Sequence, residues 1–199
     1  FIVISFTNSK SHPHMWIDLK SNILVNEKGL VTSVQQEWLF GDFSSTILIE
    51  DMSKHPGGFN SGLKEEISNI FNNLYTYSYF TLVKKDGVKI KLGRVVKFDA
   101  EIRGKRVWVK FKLPFVNPVD LQKTHLTISI FDPTYYIEML HFENTEVTFL
   151  GKKPNGCVTK IIPPSPSQEA VMLSKSANLD INPDTSIGKL FAEIIDVSC

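Results

Sequence analysis

The sequence predicts an α+β domain that is mainly antiparallel β, with sandwich-like sheets, one well-defined helix near residues 61–74 and a short C-terminal helix. Three observations carry this. Short runs alternate apolar and polar residues, as in Val107, Val109, Phe111 and Leu113 against Trp108, Lys110 and Lys112, which is the period of a half-buried strand. Turn signals separate the runs, Asp86-Gly87 being a strong one. The best helical spacing is that of Leu63, Ile67, Ile70 and Leu74, at intervals of four, three and four.

In chain order, residues 1–11 join an apolar run, Phe1 to Phe6, to the polar Thr7–Ser11. They read as the tail of a signal peptide with its cleavage zone, or else as a first strand. Residues 12–199 then form a single exported domain. From Met15 the residues alternate, Met15, Ile17 and Leu19 against Trp16, Asp18 and Lys20, and Asn26-Glu27-Lys28-Gly29 turns the chain into a strand from Leu30 to Phe40. Residues 41–51 suggest a short helix capped near Asp42, and Met52–Gly62, with Pro56-Gly57-Gly58, a loop. Ser61 is the expected helix cap, with Glu65 and Glu66 in the first turn.

Strands are expected at Tyr77–Val83 and Val88–Leu92, at Val95–Ile102 and Arg106–Leu113, and around Leu126–Ile130 and Val147–Phe149. Pro163-Pro164-Ser165-Pro166-Ser167 is a stiff connector. A short helix at Ser186–Ala192 and a last strand at Glu193–Cys199 complete the reading.

Composition narrows the classes of function. A chain of 199 residues, 42% apolar and 22% charged, is an ordinary globular domain. Net charge is +1 and no face is obviously basic, so nucleic acid and anionic membrane surfaces are poor candidates as partners. No apolar stretch has the length of a transmembrane helix, so no stable membrane insertion is expected. Cys157 and Cys199 suggest one disulfide in an oxidising compartment, the alternative being two unrelated thiols.

Chemistry concentrates in His12-Pro13-His14-Met15-Trp16-Ile17-Asp18. Alternation puts His12 and His14 on the Trp16/Asp18 face, about 7 Å apart at the rise of a strand, close enough to share one ion. Asp18 is about 13 Å from His14 on the same rise, too far to join them in a straight strand. Imidazole suits zinc, nickel and copper, but two ligands are an incomplete site. Asp132-Pro133-Thr134-Tyr135-Tyr136 leaves a carboxylate and two phenols at a sheet end, either as a site element or as an Asx-type turn. His55, His125 and His141 each read as surface or hydrogen-bonded side chains. No zinc-protease, serine-hydrolase or phosphate-loop motif occurs, so no enzyme is expected. A copper oxidase with a histidine brace would require His12 as the mature N-terminus, and is a distant alternative.

Together these residues resemble a family. His12-Pro13-His14-x-Trp16-Ile17-Asp18, Trp38-x-Phe40 with Asp42, Tyr79-Phe80-Thr81, Asp132-Pro133-Thr134-Tyr135-Tyr136, Gly156-Cys157 and the terminal cysteine occur in that order. Over about residues 12–199 the set resembles an uncharacterised bacterial periplasmic family, described as the periplasmic component of an ABC-type transport system. Its members are often encoded beside zinc or nickel/cobalt transporters, which implies a role in metal homeostasis. The chain departs from relatives at Asp51–Gly58, which lacks the alternating ligands of a calcium loop, and at Gly41, where they tend to carry Asp.

The expectation is therefore a periplasmic accessory component that binds a divalent transition metal (zinc, nickel or cobalt). His12 and His14 would be ligands, Asp132 the supporting carboxylate, and a membrane transporter component the partner. The alternative is a docking module for that transporter with no metal.

Overall fold

The computed structural model describes residues 13–174 and 185–199. The leader reading of residues 1–11 and the ligand reading of His12 lie outside the described residues.

The expected first hairpin forms. β1 (Met15–Val25) pairs antiparallel with β2 (Val31–Phe40). Asn26 makes its turn, the side-chain oxygen accepting from the N–H groups of Lys28 and Leu30, both at 3.0 Å. Ile17, Leu19 and Ile23 of β1 and Val34 and Trp38 of β2 are buried, as the alternation requires.

β2 pairs on its far side with the long β6 (Arg106–Val119), which pairs in turn with β5 (Phe98–Arg103). Two pairings lie beyond the sequence patterns. β1 runs parallel to β8 (Ile137–His141) and, further along, to β9 (Thr148–Gly151). The larger sheet is thus ordered β5-β6-β2-β1-β8, with β9 also on β1. The second sheet, β10-β11-β7-β3-β4, is built from β3 (Thr81–Lys85), β4 (Val88–Lys89), β7 (Leu126–Ile130), β10 (Val158–Ile162) and β11 (Ile194–Ser198).

Helix α1 (Asp42–Ser53) follows β2 directly, and α2 (Phe59–Leu74) follows after a five-residue turn, residues 54–58. The expected loop at 52–62 is therefore mostly helix, and Ser61 is not the cap. Gly58 occupies that position with φ +82, a conformation other residues reach only with strain, and its side of the helix carries no carboxylate in the first turn. Gly62 lets α2 approach the end of α1, because a Cβ there would lie 2.8 Å from His55 Cβ.

The strand expected at Tyr77–Phe80 is instead a 3₁₀ turn spanning Tyr75–Phe80, with positive φ at Ser78, Tyr79 and Phe80. Burial explains it. Tyr79 packs edge-on against Phe71 of α2, and its hydroxyl accepts from the Val95 N–H at 3.0 Å. Phe71 also meets Phe111 and Trp38 in T-shaped contacts, which clamps α2 onto the inner face of the larger sheet. Of the strand expected at 88–92, only Val88–Lys89 is paired in β4.

Behind this aromatic cluster the two sheets pack face to face. A polar bridge crosses them: Trp38 Nε1 donates to Gln36 Oε1, and Gln36 Nε2 donates to Thr81 Oγ1, both at 2.9 Å. A helix α3 (Gln168–Leu173), capped by Ser167, and a 3₁₀ turn at Ile187–Phe191 precede β11. Cys157 and Cys199 form the expected disulfide, closing a separation of 42 residues. In the chain-entropy description a loop of this length stabilises the fold by about 4 kcal/mol.

Candidate functional site

The start of β1 is anchored from the neighbouring edge strand. His14 and Met15 both donate their backbone N–H to the Tyr136 carbonyl, at 2.9 and 3.2 Å. The parallel register then pairs Met15 with Ile137 and Trp16 with Glu138. His14 is exposed, and its ring lies 5.0 Å from the Tyr136 ring at a tilt of 36°. The two motifs singled out in the sequence thus meet at one end of the larger sheet.

Asp132 shapes that end from within. It is 6% exposed. Its carboxylate accepts from the Thr134 N–H at 2.9 Å, from the Thr134 hydroxyl at 2.9 Å to both oxygens, and from the Ile137 N–H at 3.1 Å. With the acceptor positions of both oxygens engaged, Asp132 holds an Asx-type turn rather than facing solvent beside His14. The turn places Tyr135 at φ +57 and presents the Tyr136 carbonyl to β1.

The C-terminal 3₁₀ turn locks this arrangement from the other side. Gly188 donates to the Pro133 carbonyl at 3.0 Å, and Phe191 stacks on Tyr135 with ring centroids 4.0 Å apart. The Tyr135 hydroxyl donates to Glu138 Oε1 at 3.1 Å. Burial, and then the adjacent Glu138 carboxylate, hold the phenol well above its usual range. Glu138 is also the carboxylate whose register partner, Trp16, shares a sheet face with His14.

Among the described residues no three His, Cys, Asp or Glu side chains come close enough together to hold a metal ion.

The family model described as "Protein of unknown function (DUF1007)" matches residues 1–199. The chain belongs to the DUF1007 family. An uncharacterized protein of Haemophilus influenzae is 27% identical over 195 residues, covering 95% of this chain and 91% of its own length. An uncharacterized 15.5 kDa protein from the trpE 3′ region of Spirochaeta aurantia is 33% identical over 79 residues, 40% of this chain and 54% of that protein. No solved structure matches the chain.

The remaining histidines of this DUF1007 protein are engaged in the fold. His55 Nε2 lies 3.0 Å from Glu65, and His125 Nε2 lies 2.6 Å from Asp196. His141 is the buried one, its side chain 3% exposed. Its Nδ1 is 2.6 Å from Glu193 Oε2 and its Nε2 2.9 Å from Ser21 Oγ. A carboxylate only accepts, so Nδ1 donates to Glu193, and Nε2 of a neutral ring accepts from the Ser21 hydroxyl.

This order of serine, histidine and acid is that of a hydrolytic triad, but Ser21 is 0% exposed and faces the core. What the chain of bonds does here is join β1 and β8 of one sheet to the lead into β11 of the other. No sequence motif signals it, because it depends on the parallel pairing that sets Leu19 opposite His141.

Proposed function

We propose that this DUF1007 protein is a periplasmic accessory component of a transport system. In this reading it holds a divalent transition metal, zinc, nickel or cobalt, at His12 and His14 and passes it to a membrane transporter component. The observation that carries the reading is the setting of His14. It is solvent-facing, its backbone is fixed by Tyr136, and His12 precedes it across a proline that keeps the chain extended.

A fixed backbone lowers the ordering cost of forming a site, and an exposed edge lets the ion exchange with a partner. Glu138 shares that edge and supplies a carboxylate within the same strand pair. Asp132 supports the site indirectly, by holding the turn that positions the Tyr136 carbonyl. The disulfide fits an oxidising compartment, and among the described residues no helix is long and apolar enough to cross a membrane. The protein acts as a carrier and catalyses no reaction.

The test is retention of metal. Chelator-stripped protein titrated with zinc, nickel and cobalt binds one of them with a defined stoichiometry, and His14→Ala weakens that binding by tenfold or more. Equal affinity of the wild type and His14→Ala contradicts the reading, and no binding by either protein favours a metal-free docking module.

A further inference from the structure

Charge is unevenly spread along this nearly neutral chain. Eleven of the 22 Lys and Arg residues lie between Lys84 and Lys112, against three carboxylates. The fold, unlike the overall composition, therefore does create a basic region. Four of these cations, Arg94, Lys97, Lys110 and Lys112, line one groove of about 500 Å³ along β5, β6 and β2. Asp99 is the one carboxylate in that lining.

The rest of the groove is largely apolar, with Val96, Phe98 and Pro114 among its walls. Val96 is 83% exposed, so a large aliphatic side chain stands in water between Arg94 and Lys97.

The wall that carries Val96 is held in place. Gly93 donates to the Pro114 carbonyl at 2.8 Å, and Val95 donates to the Tyr79 hydroxyl at 3.0 Å. The Arg94 guanidinium lies 3.7 Å from the centre of the Tyr75 ring, a contact that fixes its position without neutralising it. Lys110 is 3.9 Å from Glu37, which leaves the lining with a clear excess of positive charge.

We propose that this groove binds an amphipathic anion, an acyl chain bearing a carboxylate or phosphate headgroup. The chain lies over Val96, Phe98 and Pro114, and the headgroup sits among Lys97, Lys110 and Lys112. The volume falls in the usual range of small-ligand sites. Exposed ion pairs alone bind weakly, so the apolar chain supplies much of the affinity and the lysines select the charge. Free fatty acids and single-chain phospholipids share this chemistry.

Calorimetry on the full chain tests it with laurate, lysophosphatidylglycerol, neutral dodecyl maltoside and inorganic phosphate as probes. The expected result is saturable binding of laurate, lysophosphatidylglycerol or both. Binding of laurate alone marks a fatty-acid site, and binding of the lysolipid marks a phospholipid site. Each added methylene tightens binding by up to about fourfold. Lys97→Glu/Lys112→Glu weakens binding by about tenfold or more, from the loss of two attractive charges near the headgroup, and Val96→Asp weakens it independently.

The double variant changes only exposed side chains, and an unaltered thermal transition confirms its fold. The proposal is overturned if neither anion binds. It is equally overturned if the maltoside or bare phosphate binds as tightly, or if the folded double variant binds laurate and the lysolipid like the wild type.

Discussion

The backbone N–H of His14 meets the Tyr136 carbonyl at 2.9 Å, so the histidine just before β1 is positioned by a turn more than a hundred residues away. The turn in its turn rests on the Asp132 carboxylate and on the close seating of Gly188 against the backbone of Asp132 and Pro133. The site's geometry is thus a property of three distant segments, and perturbing any one of them should be felt at the other two.

Gly188→Ala is the most direct perturbation. A Cβ at this position would overlap the Asp132 carbonyl oxygen and lie 3.1 Å from the Pro133 carbonyl carbon. The obstacle is backbone, which cannot swing aside, so the substitution should destabilise the fold by roughly 1–3 kcal/mol or more. A urea unfolding curve checks this; a midpoint equal to the wild type would show that the 3₁₀ turn is not seated as described.

Thr81→Val tests the polar bridge between the sheets. It preserves side-chain volume but leaves Gln36 Nε2 without its buried acceptor. The expected loss is about 1–3 kcal/mol, the cost of an unsatisfied buried donor. The same unfolding experiment reads it, and no change in midpoint would mean that water or another group replaces the hydroxyl.

Much of this architecture is legible in the sequence, for identifiable reasons. The β1–β2 hairpin follows from strict alternation on both sides of Asn26, and the inward face of β6 from Val107, Val109, Phe111 and Leu113. The disulfide follows from an even count of two cysteines. What fails is set by tertiary contacts. Tyr77–Phe80 has the composition of a strand, yet burial of Tyr79 under α2 forces three consecutive positive φ angles.

The candidate site divides in the same way. The surface face of His14 is readable from the period of two. The sequence leaves Asp132 open between a site element and an Asx-type turn, and its hydrogen bonds place it in the turn. The Ser21–His141–Glu193 chain is illegible, since it joins residues brought together only by parallel pairing and by the packing of two sheets. The basic groove is hidden by a net charge near zero.

Tyr135 makes the fold sensitive to alkali. Its phenol is held above its usual range by burial and by Glu138, so the folded state favours the protonated form. The stabilisation is fully present below the unfolded tyrosine value of about 10 and is lost as pH rises above it, because the unfolded chain ionises first. Tyr135→Phe should therefore flatten the fall in stability above that pH while costing about 1 kcal/mol at neutrality for the lost hydrogen bond. Parallel thermal scans of both proteins from neutral to alkaline pH would show it, and identical slopes would contradict it.

The most direct test of the central claim is the metal content and binding stoichiometry of the intact protein beside His12→Ala/His14→Ala, with zinc, nickel and cobalt. The expected result is stoichiometric binding of at least one ion at micromolar affinity or better, abolished in the double variant while its unfolding transition stays unchanged. Binding that survives the double substitution, or that is absent from both proteins, would contradict the assignment.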